Sequence, residues 1–420
     1  MMRGVDSRNL REMLAEAKDM SELMVDLAYA ALFFDDPDMA DEVEQLETQI
    51  SELVHHMRAL CIIAVRNPRE AEAMSAVLQV ISAVESIGND AVDIAKIVSR
   101  RLGIPRQLVV DMSSAEEVSH RVEVAAGSHF ANRPLSSFEL PVVTGMRVLA
   151  VRRGRSWIVD PGGDDILNPG DVLFLRGSPE GIVRLRELAG APMWHSPPSE
   201  DGGALTDLDR AVDTLVEMKD LSEVAVGLAY SALVFRDRSL AAEVRHLEDR
   251  LDEMKIRLEL WVLRAAGDDV DPSRLRGLLH LGAAAEDLGD QAQQMVWIIE
   301  KSSDLHPVLH VALGDTDDTV VRMPVAEGAA ADGSRLGDLD LAIEPGFNVL
   351  AVERDGRYLY RPRKHVELRA GDLVLANGPE EGRGPLAEMF GWRFIEGDDD
   401  EVELEPLTPP APGARSSIES

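Results

Sequence analysis

The chain of 420 residues is long enough for several domains of ordinary size, and its single cysteine, Cys61, excludes an intramolecular disulfide. Its formal net charge of -33 repels phosphate backbones, so nucleic acid is not expected as a partner. No segment approaches the roughly 20 uninterrupted apolar residues that span a bilayer, and no signal-peptide core follows the N-terminus. We therefore expect a cytoplasmic protein.

The charge comes from 76 acidic residues against 43 basic ones, and only six of the basic residues are lysines. An acidic surface that is rich in arginine and poor in lysine is typical of a cytoplasm so salty that charges are screened within about 3 Å. A halophilic source, such as a haloarchaeon, is the first interpretation. An acidic protein encoded by a GC-rich mesophilic genome is the alternative.

The first part of the chain has the periodicity of long amphipathic helices, with apolar residues at spacings of three and four. A second helix is predicted to begin at Asp36, which caps it, with Pro37 at the first helical position. A third begins near Pro68 and ends near Gly103. Three long helices joined by short turns predict an antiparallel three-helix bundle over residues 7–104.

The period changes after the bundle. The runs "MRVLAVRRG", "SWIVDP" and "DVLFLRG" are short, rich in β-branched and apolar residues, and bounded by Gly, Pro and Asp, which predicts a small antiparallel sheet. In "NPGD", Gly170 is expected to have a positive φ at the second central position of a type II turn. A covering helix follows Ser178, so residues 116–190 are predicted to form a small α+β domain.

A shift of 201 residues, from Leu167 to Leu368, superimposes the second half of the sequence on the first. "DLAYAALFF" then lies over "GLAYSALVF", and "LNPGDVLFLRGSPE" over "LRAGDLVLANGPEE", in which Gly371 corresponds to Gly170. The fold class is therefore multidomain α and α+β, a bundle and a small domain used twice. The predicted parts are bundle one at 7–104, α+β domain one at 116–190, a linker at 191–205, bundle two at 206–305, α+β domain two at 317–394, and an acidic, proline-rich, disordered tail at 395–420.

Each α+β half resembles the RCK C-terminal domain, also called TrkA-C, which occurs in cytosolic subunits of potassium channels and cation transporters. The resemblance is carried by "GMRVLAVRRG" and "LNPGDVLFLRGSPE" in the first copy and by "GFNVLAVERDG" and "LRAGDLVLANGPEE" in the second. It implies an integral membrane cation channel or transporter as the partner and a small ligand, such as cyclic di-AMP, at paired domains. A Rossmann-like nucleotide domain is not expected, because no G-x-G-x-x-G follows a strand.

The resemblance places the ligand on strand residues of both copies. The candidate ligand-binding residues are Val148, Ala150, Arg152, Val349, Ala351 and Glu353. Because Arg152 corresponds to Glu353, pairing of domain one with domain two would bring opposite charges together, whereas pairing of like domains would oppose like charges. We expect pairing of one with two, and a homo-oligomer, most simply a dimer. Unrelated surface drift is the alternative, since exposed ion pairs contribute only about 0 to 1 kcal/mol.

Each helical half resembles the PhoU family of three-helix bundles through its third helix, "VESIGNDAVDIAKIV" and "AEDLGDQAQQMVWII". That family regulates phosphate uptake and binds metal through acidic helix faces. The resemblance implies a divalent metal at Glu22, Asp26, Glu286 and Asp290, whose carboxylates lie four residues apart in pairs. Asn89 stands where the first copy should have an acid, and Gly227 removes an acid from the second. A solvated acidic face is the alternative.

The sequence contains no nucleophile elbow, phosphate loop or zinc cluster, so we do not expect an enzyme. Two functions remain. The first is a regulatory, ligand-binding protein that controls a cation, most simply potassium, channel or transporter through its TrkA-C domains. The second is a PhoU-type metal-binding regulator of phosphate transport or signalling. In either case the chain would lie at the membrane only through a separate partner.

Overall fold

The computed structural model of the chain describes residues 9–112, 117–193, 206–267, 271–301, 306–313, 318–396 and 402–407. The chain divides into two compact units, residues 1–138 with 147–317 and residues 139–146 with 318–420. Long helices and small antiparallel sheets alternate twice along the chain, which confirms the predicted fold class. Across the described ranges, no helix combines the length and the apolar character needed to cross a bilayer.

The first repeat has three long helices, then a small sheet with its covering helix. The helices are α1 (Leu10–Phe34), α2 (Pro37–Ala64), α3 (Pro68–Ser99), α4 (Arg106–Met112), α5 (Leu140–Thr144) and α6 (Ile182–Ala189). The strands are β1 (Val118–Glu123), β2 (Arg133–Pro134), β3 (Met146–Arg153), β4 (Ser156–Val159), β5 (Ile166–Leu167) and β6 (Val172–Gly177).

The second repeat follows the same order and adds a hairpin at its end. The helices are α7 (Asp207–Phe235), α8 (Arg238–Ala265), α9 (Pro272–Lys301), α10 (Pro307–Leu313), α11 (Leu336–Leu339) and α12 (Arg383–Met389). The strands are β7 (Asp318–Pro324), β8 (Asn348–Arg354), β9 (Arg357–Tyr360), β10 (Leu373–Pro379), β11 (Trp392–Glu396) and β12 (Val402–Pro406).

Both bundles belong to the first unit. Helices α1, α2 and α3 pack on one another, as do α7, α8 and α9, and α3 packs against α9. The predicted helix cap is confirmed, since the Asp36 side chain accepts a hydrogen bond from the Met39 N–H at 3.3 Å. The short helix α10 packs on both α1 and α7. It follows the second bundle, and the sequence pattern did not predict it.

The first sheet also lies in the first unit, with strand order β1-β6-β3-β4. Strand β6 pairs antiparallel with β1, and Arg176 lies opposite Ser119. The predicted turn before β6 is confirmed: Gly170 has a φ of 86°, and the Asp171 N–H donates to the Asn168 carbonyl at 3.0 Å. This turn fixes the start of the strand that carries Arg176.

The second unit contains the second sheet, with strand order β7-β10-β8-β9. Phe347, Leu386 and Phe390 are fully or almost fully buried in its core. The equivalent turn is again as predicted, since Gly371 has a φ of 90°. Its covering helix, α12, corresponds to α6 of the first repeat.

The segment 139–146 of the first repeat belongs to the second unit, where it meets its own counterpart. A Cβ atom on Gly145 would overlap the Ala342 carbonyl, and one on Gly346 would overlap the Pro141 carbonyl. Gly346 corresponds to Gly145, and Ala342 to Pro141, at the shift of 201 residues. The two contacts are therefore reciprocal, as expected where a segment of domain one pairs with the same segment of domain two.

The predicted disorder of the tail was wrong for residues 402–406. Strand β12 pairs antiparallel with β11, with Phe394 opposite Leu404, and Leu404 packs against the core of the second unit. The run "VELEP" alternates apolar and acidic residues as a half-buried strand does, and its acidity concealed that alternation. Residues 408–420 lie outside the described part, as does the linker from residue 194 to residue 205.

Candidate functional site

A mostly buried arginine connects the first sheet to the helices of both bundles. Side chains alternate along β6, so Phe174 and Arg176 share one face of the sheet. Phe174 contacts the ring of Phe34, at the end of α1, with a centroid distance of 5.6 Å. The Arg176 side chain is 12% exposed and so needs partners for its charge.

Three carboxylates from three different segments supply those partners. Arg176 Nη1 donates to Asp26 of α1. Its Nη2 donates to Glu117, just before β1, at 2.8 Å, and to Glu223 of α7 at 2.8 Å. The Nε donates to Glu117 at 3.2 Å. One planar guanidinium thus holds together a strand of the TrkA-C-like half and one helix from each bundle, which a lysine with its single ammonium group would do less well.

A second cation, Lys219 of α7, completes the cluster. It pairs with Glu223 at 2.8 Å and lies 5.1 Å from the ring centroid of Tyr29 on α1. The repeat reproduces this contact in reverse, because Lys18 of α1 lies 5.3 Å from the ring centroid of Tyr230 on α7. Helices α1 and α7 are therefore joined by two equivalent cation–π contacts about a local two-fold axis.

The charges of the cluster do not cancel when all groups are ionised, since three carboxylates face Arg176 and Lys219. Burial raises the pKa of Asp26 to about 7, and the neighbouring Glu223 and Glu117 add to this rise, although Arg176 opposes it. Burial would lower the pKa of Arg176, but the carboxylates outweigh it and raise that pKa further above its usual value. Both directions fit one arginine shared by three acids, with Asp26 the acid that takes up a proton near neutrality.

The arginine of the cluster and its partner on α1 have no equivalents in the other repeat. Arg176 corresponds to Asn377, and its partner Asp26 corresponds to Gly227. The second repeat thus lacks both the arginine and the acid. The Asn377 side-chain oxygen is buried without a hydrogen-bond partner among the described residues.

Sequence reasoning did not identify Arg176, Glu117, Lys219 or Tyr29. Two signals were present in the sequence. The paired replacement of Arg176 and Asp26 is visible at the shift of 201 residues. Two of only six lysines, Lys18 and Lys219, also occupy equivalent positions.

The candidate ligand residues of the first copy line β3. Val148 and Ala150 are buried. Arg152 pairs with Asp36, the cap of α2, at 3.4 Å and lies 5.5 Å from the ring centroid of Phe174. This arginine therefore already contacts the first bundle.

The candidate ligand residues of the second copy lie on β8. Ala351 is buried and Val349 partly buried. Glu353 accepts a hydrogen bond from the Tyr358 hydroxyl at 3.2 Å and lies 3.8 Å from Arg322. Ligand binding by either set stays a prediction.

The candidate metal residues are engaged with other side chains. Glu22 pairs with Lys18 at 2.8 Å, Asp26 with Arg176, and Glu286 with Lys255. Burial raises the pKa of Glu248 to about 7, and the nearby carboxylates, Asp290 among them, add to this rise. Among the residues that the structure describes, no three His, Cys, Asp or Glu side chains converge in a way that could hold a metal ion. Metal binding stays a prediction that these contacts disfavour.

Comparison with known proteins matches each half of each repeat to a domain family. The PhoU domain model matches residues 14–98 and 215–299, and the TrkA-C domain model matches residues 120–190 and 320–391.

The solved structures that match the chain do so at low sequence identity and with TM-scores below 0.5. A crystal structure of PhoU from Pseudomonas aeruginosa is 14% identical, over 69% of this chain and 93% of that chain, with a TM-score of 0.36. The GsuK RCK domain is 17% identical, over 66% and 64% of the two chains, with a TM-score of 0.18. The GsuK channel bound to NAD is 17% identical, over 74% and 64%, with a TM-score of 0.17. On the family matches, the chain consists of two PhoU domains and two TrkA-C domains that alternate in tandem.

Proposed function

We propose that this chain is a cytoplasmic regulatory protein that binds a small ligand through its TrkA-C domains and passes the ligand state to its PhoU domains. The observation that carries the proposal is the cluster around Arg176, where a strand of the first TrkA-C domain is ion-paired to α1 and α7. A ligand that displaces β6 has to stretch or break these pairs. The TrkA-C and PhoU domains are thus connected by ion pairs as well as by the polypeptide chain.

The energetics suit a switch. Breaking a buried ion pair from one side destabilises by about 3–5 kcal/mol, because an unpaired charge remains. Allosteric coupling between two sites is typically about 1–3 kcal/mol. Partial loosening of the Arg176 cluster would therefore be sufficient to shift the population of two arrangements, provided that the ligand prefers one of them.

The ligand that the TrkA-C resemblance favours is a cyclic dinucleotide such as cyclic di-AMP. Its proposed contacts are the strand residues Val148, Ala150, Arg152, Val349, Ala351 and Glu353. A ligand phosphate would compete with Asp36 for the Arg152 guanidinium, because both are anions that arginine binds through paired donors. Since Asp36 caps α2, this competition would provide a second route from the ligand to the first bundle.

The proposed partner is an integral membrane channel or transporter for a cation, potassium first. The chain would lie at the membrane through that partner and act as a homodimer. The test has two parts: titration of the purified protein with cyclic di-AMP by calorimetry, and affinity purification from membranes with and without that ligand. We expect saturable binding and recovery of a cation transport protein in amounts that depend on the ligand. Recovery of phosphate-transport components alone would contradict the proposal.

An Arg176→Asn variant separates binding from transmission. It copies the residue of the second repeat and leaves the candidate ligand residues unchanged. We expect cyclic di-AMP to bind the variant, but recovery of the partner no longer to depend on the ligand. Full ligand dependence in a folded Arg176→Asn variant would exclude the cluster as the connection.

The alternative function, a PhoU-type metal-binding regulator of phosphate transport or signalling, rests on four acids. Three of them are paired with Lys18, Arg176 and Lys255. A metal ion would have to displace these cations before it gained its ligands. Metal analysis of protein purified without chelators tests this function, and bound Mg²⁺, Mn²⁺ or Fe that is lost in Glu286→Gln would favour it.

A further inference from the structure

A groove lies beside the β8–β9 hairpin of the second unit, and the proposed function does not use it. It is open to solvent and has a volume of about 480 Å³, within the range of small-molecule sites. Val352, Leu359 and Val366 form its apolar part, Arg354 and Arg357 carry the positive charge, and Asp355 and Tyr358 complete the lining. Leu359, on the edge strand β9, is 46% exposed and so offers apolar surface to a ligand.

The two arginines of the groove differ in what they bind. Arg354 is fixed by the fold, since it donates to Asp372 at 2.7 and 2.5 Å and to the Glu367 carbonyl at 2.8 Å. Arg357 is exposed and forms no ion pair or side-chain hydrogen bond with any residue in the described part of the chain. Its guanidinium is therefore available to an anion from solution.

The hairpin itself does not require Arg357. The turn between β8 and β9 is made by Asp355 and Gly356, which have φ values of 53° and 71°. Residue 357 contributes its backbone to the pairing with Arg354. A small polar side chain would serve the hairpin equally well, and the first repeat has one.

The two features that give the groove its chemistry are absent from the first repeat. At the shift of 201 residues, Arg357 corresponds to Ser156 and Val366 to Asp165. The Asp165 carboxylate instead accepts a hydrogen bond from the Gly162 N–H at 2.8 Å and fixes its own loop. The second repeat therefore has an exposed arginine and an apolar side chain where the first repeat has a serine and an aspartate.

We propose that this groove is a binding site for a small organic anion, one that carries a carboxylate or a phosphate on a short apolar body. The anionic group pairs with Arg357, whose planar fork matches both chemistries. The apolar body covers Leu359 and Val366. The site is separate from the candidate residues on the opposite face of β8, such as Ala351 and Glu353, because successive side chains point to opposite faces of a strand.

The test uses hexanoate, hexyl phosphate and inorganic phosphate as probes in calorimetric titrations of the full-length protein. We expect one of the two hexyl anions to bind saturably at one site per chain, which identifies the preferred head group. Arg357→Ser, which copies the first repeat, is expected to weaken that binding at least tenfold. Val366→Asp should do the same. Inorganic phosphate alone is expected to bind at least tenfold more weakly than the preferred hexyl anion.

Arg155→Ser is the matched control, since Arg155 is an exposed arginine in the equivalent hairpin of the first repeat. It removes the same charge and should leave binding unchanged. The proposal is overturned by the absence of saturable binding of both hexyl anions, or by binding that survives Arg357→Ser. If inorganic phosphate binds as tightly as the preferred hexyl anion, the apolar side chains of the groove do not contribute to binding, and that part of the proposal is overturned. Melting curves identify a variant that fails to fold. If Val366→Asp does not fold, Arg357→Ser still provides the test, because Arg357 is exposed. Because cyclic di-AMP binding is measured separately, either proposal can fail alone.

Discussion

Arg176 and Asp26 contact each other directly, and the second repeat replaces both, by Asn377 and Gly227. Loss of one partner would leave a charge unpaired in a mostly buried setting, whereas loss of both removes the need for compensation. The two replacements are therefore linked by electrostatics, and in the first unit the Arg176 cluster ties the first sheet by charge to α1 and α7.

Arg176→Asn should destabilise the first unit. It leaves Asp26, Glu117 and Glu223 close together without their shared cation, and removal of one side of a buried pair destabilises by up to about 3–5 kcal/mol. We expect a clear fall in the thermal midpoint. An unchanged midpoint would show that the cluster contributes no stability.

The double variant Arg176→Asn with Asp26→Gly recreates the second repeat at both positions. Glycine within α1 itself destabilises by about 1 kcal/mol. Even so, the stability lost in the double variant should be smaller than the sum of the stabilities lost in the two single variants. Asp26→Gly alone provides the reference. If the midpoint change of the double variant equals the sum of the two single changes, Arg176 and Asp26 are not energetically linked.

Two glycines should be more sensitive to a methyl group than their backbone angles alone explain. Gly145→Ala and Gly346→Ala place a Cβ on the carbonyls of Ala342 and Pro141, so both variants should melt well below the native protein. Gly170→Ala is the control, since that glycine also has a positive φ but open space around it. It should cost only about 1–2 kcal/mol, the usual penalty of the left-handed conformation. Equal losses in all three variants would argue against the reciprocal contact.

The elements were largely predictable from sequence, because apolar spacing and turn residues act locally. Asp36 with Pro37 marked the start of α2, and Gly170 marked the turn before β6. The cluster around Arg176 was not predictable in the same way. Its partners lie 150, 59 and 47 residues away in sequence, and an arginine in a strand carries no local sign of such contacts. The spacing of Asp26 from Glu22 is visible in the sequence and predicts a metal ligand, whereas the distant Arg176 leaves no local sign there.

The packing of α3 on α9 should make stability depend on pH. Burial raises the pKa of Asp90 to about 8, and the acids Asp287, Asp93, Asp290 and Glu286 add to the rise. Between pH 4 and pH 8 the folded state then holds a proton that the unfolded state has released, so the free energy of unfolding falls as the pH rises through this range.

Asp90→Asn tests this dependence with a neutral side chain of the same shape, and the second repeat already has a neutral amide, Gln291, at this position. The variant should match the native protein near pH 4 and melt at a higher temperature at pH 8.5. Glu85→Gln is the comparison on the same helix, since Glu85 pairs with Arg58 at 2.7 Å, is not among the acids that raise the pKa of Asp90, and should not gain stability at high pH. A constant difference between Asp90→Asn and the native protein across the range would exclude the pH effect.

Salt should stabilise the native protein while leaving the contribution of Arg176 almost unchanged. At a net charge of -33 the folded chain repels itself, and raising KCl from 0.1 to 2 M shortens the screening length from about 10 Å to below about 3 Å. We expect the thermal midpoint to rise with salt, as the halophilic interpretation requires, and a midpoint that is highest at 0.1 M would favour the mesophilic alternative. Buried pairs are screened much less than exposed ones, so the difference between the native protein and Arg176→Asn should be similar at both salt concentrations. If that difference disappears at 2 M KCl, water and ions reach the cluster, and Arg176 would be a surface ion pair rather than the buried connection between the sheet and the two bundles.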